Sequence, residues 1–89
     1  LSIIEAFSLG VPCVGANIGG IPELIEVGKT GLLFDPFDTG NIKEILNKAI
    51  LIGKEEYKDY SYNCVENYKK NLSKTVHIAK LESLINELT

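Results

Sequence analysis

Apolar residues crowd the start of the chain. Leu1, Ile3, Ile4, Ala6, Phe7 and Leu9 fall on nearly every side of a helical projection, and a helix apolar almost all round is a buried one. The polar remainder, Ser2, Glu5 and Ser8, forms one edge at i, i+3 spacing. The pattern predicts a helix over 1–9. Gly10 is placed to cap it in a left-handed conformation, and Pro12 blocks its continuation. The next run, PCVGAN at 12–17, is short, apolar and β-compatible, as a buried strand is.

Gly19-Gly20 follows as a loop that lets the backbone come close to something. Pro22 opens a short helix, PELIEV, and Gly28 and Gly31 bracket a turn. GLLFD at 31–35 predicts a second short strand, and the loop after it leads to a helix capped by Asp38 or Asn41. Asn41 with Glu44 resembles a capping box. From Ile42 one helical face carries Ile42, Ile45, Leu46, Ala49 and Ile50, until Gly53 interrupts it. Residues 55–70 predict a more polar helix with Tyr57, Tyr60, Cys64 and Tyr68 roughly in register. Residues 73–88 predict a third, whose apolar side is Val76, Ala79, Leu81, Leu84, Ile85 and Leu88.

The order is helix, strand, helix, strand, then helices. Strands alternating with helices imply a parallel sheet covered on both faces. Two strands do not make such a sheet alone. The fold class is therefore α/β, the C-terminal third of a doubly wound, Rossmann-like domain, ending in helices.

With 89 residues the chain holds one small domain and is marginal by itself. A net charge of −3 and a pI near 5.1 exclude the basic footprint of a nucleic-acid binder. The lysines are scattered, with Lys69-Lys70 the only adjacent pair. No apolar run is long enough to span a bilayer, and no signal-peptide pattern is present. Cys13 and Cys64 are far apart in sequence and have no metal-ligand spacing. Cys13 is expected to be a small buried side chain, and no disulfide is expected, as in a reducing compartment. Asn71-Leu72-Ser73 matches a glycosylation sequon by chance.

Three segments are candidates for chemistry. Glu5 is a carboxylate in an apolar stretch, where an unpaired buried charge is costly. Beside a helix start it suits a vicinal diol, with free helix N–H groups suiting phosphate; the alternative is a surface glutamate without a partner. Gly19-Gly20 either admits a phosphate or sugar to the main chain or is an ordinary strand-to-helix turn. GKTG at 28–31 invites a phosphate-loop reading and fails it: Glu23 occupies the position of the required first glycine, and a strand follows instead of a helix. Lys29 and Thr30 are expected to be exposed turn residues. His77 has no nucleophile or acid at a recognisable spacing and is assigned no catalysis. The tyrosine stripe reads as packing.

The stretch SIIEAFSLGVPCVGANIGGIPELIEVGKTGLLFDPFD resembles the nucleotide-sugar-binding half of GT-B glycosyltransferases, the group called glycosyl transferases group one, or family four. The family pattern is met by Glu5-Ala6, Gly10, Pro12, Cys13-Val14, Gly19-Gly20, Glu23, Gly28, Gly31, Leu33 and Asp38. The likeness is close over residues 1–50 and looser over the closing helices. It implies a retaining, metal-independent transferase without a cofactor, moving a hexose from a UDP-, GDP- or ADP-sugar to a glycan or lipid acceptor. Glu5 would then hold the ribose hydroxyls, and the amides of Leu1 and Ser2 would face the diphosphate or donor sugar.

The sugar-contacting first glutamate of the family's pair would precede Leu1. So would the basic residues that neutralise the diphosphate and the N-terminal acceptor domain. The expectation is that residues 1–89 are the C-terminal part of the donor-binding domain, inactive alone. The parent enzyme is expected to be cytoplasmic, with peripheral association at the inner membrane face as the family allows. Two alternatives stand beside it: a non-catalytic nucleotide-binding or regulatory module of the same fold, and an unrelated doubly wound interaction domain.

Overall fold

A computed structural model describes residues 2–72. Leu1, the helix expected at 73–88 and His77 lie outside the described residues. The elements are α1 (Ile3–Ser8), β1 (Cys13–Ala16), α2 (Ile21–Leu24), β2 (Gly31–Phe34), α3 (Thr39–Ile50) and α4 (Lys54–Asn67), which continues into a π-helical turn at Tyr68–Leu72. The α/β order matches the hydrophobic pattern, with β1 one residue shorter at each end than expected and β2 one residue shorter at its C-terminal end.

The helix ends have local causes. Gly10 adopts a left-handed φ of 73°. Its N–H donates to Phe7 O, and the Val11 N–H donates to Ala6 O. That pair of bonds closes α1 in a Schellman turn. Pro22 sits in the first turn of α2, where its missing N–H costs nothing. Asp38, not Asn41, caps α3: its carboxylate accepts the Asn41 N–H at 3.1 Å. The capping box expected at Asn41 and Glu44 is therefore not the cap. Asn41 instead turns back and accepts the Asp35 N–H at 2.7 Å, bracing the loop after β2.

The strands pair in parallel, with Cys13 opposite Gly31 and Ala16 opposite Phe34. Alternation puts Cys13, Gly15, Gly31 and Leu33 on one face of the sheet. There Phe7 of α1, Ile25 and Cys64 form the core cluster, with Ile3, Ile21, Tyr68 and Leu72 packed around it. Val14, Ala16, Leu32 and Phe34 fall on the opposite face, and α3 packs along the two strands. An added Cβ at Gly31 would collide with the Cys13 carbonyl, so a glycine there is what lets the two backbones approach.

Burial departs from expectation at α1 and at Cys13. Helix α1 is not buried all round. Ala6 and Phe7 are buried, but Ser2 and Glu5 are exposed and Leu9 is 71% exposed, because among the described residues α1 packs through one side, against the core cluster, α4 and the π turn. The apolar face of α3 is likewise half covered: Ile42, Ile45 and Ala49 are partly buried, whereas Leu46 and Ile50 face solvent. Two strands are too narrow to shelter a whole helical stripe. Cys13 is half-buried rather than buried.

Candidate functional site

Ser2, Glu5 and Ser8 lie on one edge of α1, as their spacing predicts, and that edge is wired together. Ser2 is the N-cap: its hydroxyl oxygen accepts the Glu5 N–H at 3.2 Å. One turn on, the Ser8 hydroxyl donates to the Glu5 carbonyl oxygen at 2.6 Å. Both backbone groups of Glu5 are thus met by neighbouring serines. Its carboxylate is exposed, and among the described residues no cation lies within ion-pair range of it.

The helix begins later than the apolar pattern predicts. Ser2 has extended φ and ψ, and the first helical residue is Ile3. The N–H groups of Ile3 and Ile4 belong to the first turn, where no acceptor inside the helix is available. Leu1 itself lies outside the described residues.

Gly19 and Gly20 form the exposed loop that leaves the carboxyl end of β1. Gly19 takes a left-handed φ of 57°, which by itself favours glycine. Gly20 is the N-cap of α2 with an ordinary φ of −84°, and an added Cβ would meet nothing within 4 Å. The fold of the described residues does not require glycine at Gly20. Among those residues no hydrogen bond links this loop to Ser2 or Glu5. Ser2 and Glu5 are thus joined directly, and Gly19-Gly20 shares no hydrogen bond with them among the described residues.

The phosphate-loop look-alike resolves into structure. Lys29 is exposed, as expected, and pairs with Glu26 at 3.2 Å, a surface contact of small worth. Thr30 overturns its expectation: it is 1% exposed. Its hydroxyl accepts the Glu26 N–H at 2.9 Å. Its carbonyl accepts both the Cys13 N–H and the Cys64 S–H. Asn63 donates to the adjacent Lys29 carbonyl at 3.1 Å. The turn before β2 is therefore the seat on which α4 docks. The only local hint was a β-branched residue at the mouth of a strand; the partner on α4 lies too far along the chain for local pattern to show.

Burial, and then the neighbouring Cys13, push the Cys64 thiol up to about 11. Burial raises Cys13 as well. Neither is an activated thiolate near neutral pH. Among the described residues no group of His, Cys, Asp and Glu is arranged to hold a metal ion, and no helix is long and apolar enough to cross a membrane.

Residues 1–80 match the protein family described as Glycosyl transferases group 1. The chain belongs to that family. It is 35% identical to alpha-1,3/1,6-mannosyltransferase alg-2 of Neurospora crassa over 96% of this chain and 18% of that protein. It is 43% identical to N-acetyl-alpha-D-glucosaminyl L-malate synthase of Bacillus anthracis over 63% of this chain and 14% of that protein. To D-inositol 3-phosphate glycosyltransferase of Corynebacterium efficiens it is 32% identical over 100% of this chain and 20% of that protein. The chain thus spans no more than a fifth of the length of these relatives. The family match runs through Ser2, Glu5, Gly19 and Gly20.

Proposed function

We propose that this chain is the part of a retaining glycosyltransferase that holds the nucleotide of a nucleotide-diphosphate sugar, the sugar passing to a glycan or lipid acceptor bound elsewhere in the enzyme. Membership of glycosyl transferases group 1 supports the reaction class. So do the names of the relatives, a mannosyltransferase and a glycosyltransferase among them.

One observation carries the site: the Glu5 backbone is pinned by Ser2 and Ser8 while its carboxylate is exposed and unpaired among the described residues. A carboxylate held at its root has two oxygens to accept both hydroxyls of a vicinal diol in charge-assisted hydrogen bonds. A ribose is such a diol. In the proposal Ser2 and the neighbouring amides, with Leu1 before them, face the diphosphate or the donor sugar. Gly19 and Gly20 let the donor approach the main chain after β1. The chain supplies binding and orientation. Charge that develops on the leaving diphosphate is met by dipoles and cations of the whole enzyme.

The test is Glu5→Gln in the enzyme that carries this segment. The expected result is a KM for the sugar nucleotide raised about tenfold or more, the scale of losing hydrogen bonds to a charged acceptor. Titration with UDP, GDP and ADP should show the same loss and name the base. Unchanged donor affinity for all three nucleotides would remove Glu5 from the site.

A further inference from the structure

The two cysteines, distant in sequence, meet at one carbonyl. Thr30 O accepts the Cys13 N–H at 3.3 Å and the Cys64 S–H at 3.5 Å. Cys64 is part of the core cluster with Phe7 and Ile25, and Cys13 packs against it. Both thiols are free. Cys64 is fully buried. Cys13 is half-buried and borders a cleft of about 180 Å³ that Pro12, Ala49, Ile52 and Tyr57 also line. Of the two cysteines, Cys13 is therefore the one a small solute can approach.

We propose that Cys13 and Cys64 form a modification site, at which a peroxide oxidises Cys13 and Cys64 resolves the product into an intramolecular disulfide tying α4 to β1. In the first step the O–O bond of hydrogen peroxide breaks. One oxygen joins the Cys13 sulfur as a sulfenic acid, and the other leaves as water. In the second, the Cys64 sulfur attacks the Cys13 sulfur, the S–S bond forms and the S–O bond breaks. The hydroxyl leaves with the Cys64 proton as a second water. Two thiols are oxidised and one peroxide is reduced. A disulfide has strict geometric needs; the pair meets around one carbonyl and within one packed cluster, and the peptide map tests whether the sulfurs can join. Burial keeps both sulfurs protonated, so the bond forms under sustained peroxide rather than as a rapid sensor. The proposal stands independently of the donor site.

The test exposes the full polypeptide carrying this segment to hydrogen peroxide, blocks free thiols with iodoacetamide and digests without reductant. The expected product is one peptide pair joined through Cys13 and Cys64, two hydrogens lighter than the separate peptides and released by dithiothreitol. Cys13→Ser should show no such pair. Cys13 accumulating as sulfinic acid beside an unmodified Cys64, both thiols surviving unlinked, or links only between two chains would each overturn the proposal. Mapping the wild-type protein reads the bond directly, so a folding defect in Cys13→Ser does not blur the answer.

Discussion

Glycine separates fold from function most cleanly at Gly20 and Gly31. At Gly31 an added Cβ meets the Cys13 carbonyl on the partner strand, and a backbone atom has nowhere to swing. Gly31→Ala should therefore part the two strands and destabilise the chain, seen as an unfolding transition moved to lower urea. At Gly20 an added Cβ meets nothing within 4 Å and the backbone is unstrained. Gly20→Ala should hold its urea midpoint. If the donor approaches the main chain there, the same variant loses nucleotide affinity, which calorimetry reads directly. Glu5 belongs to this scale too. Its position on a polar edge was legible from the Ser2, Glu5, Ser8 spacing, because a side chain's place on a helix follows from counting along the chain. Its exposure was not, because exposure depends on which other element comes to lie against α1.

Elements are decided at their ends. Asp38 caps α3 by accepting the Asn41 N–H, and Asp38→Ala should cost about 1 kcal/mol of stability, the usual worth of an N-cap, measured by chemical denaturation. Asn41→Ala should act differently, loosening the loop after β2 by losing the bond to the Asp35 N–H while α3 stays capped. Sequence offered both residues as caps. The choice between them required knowing how β2 enters the loop, and the return of Asn41 onto Asp35 follows from that path. Elsewhere the local code was sufficient. Gly10 after an apolar run, and Pro22 after a glycine pair, specify a stop and a start through backbone geometry that a single residue imposes.

At the scale of the whole molecule, the core among the described residues is small. Phe7, Ile25 and Cys64 form its centre, so each member matters disproportionately. Phe7→Ala should cost about 3–5 kcal/mol, a large share of what a small domain has. The check is loss of the cooperative thermal transition. The core also carries a pH dependence. Cys64 titrates near 11 in the folded chain against an ordinary 9.0, so the unfolded chain loses its proton first. Its contribution is complete below about pH 9 and is lost as pH rises towards 11. Tyr60, raised by burial and by Glu56, acts in the same direction at higher pH. Denaturation midpoints should therefore fall through that alkaline window. Cys64→Ala should shallow the fall, and an unchanged slope would show that other groups govern it.

The amino-acid sequence by itself determined the kind and order of the elements from α1 to α4, the glycine and proline punctuation between them, the polar edge of α1 and the likeness to glycosyl transferases group 1. All of these are properties of residues close together along the chain, where period, propensity and backbone freedom act directly. Tertiary structure alone decided that Thr30 is buried, that α4 sits on the Lys29–Thr30 turn, that Cys13 and Cys64 share a carbonyl and that half of the α3 stripe faces solvent. Each of these depends on which distant segment arrives to desolvate a group and satisfy its hydrogen bonds, and no local pattern carries that information.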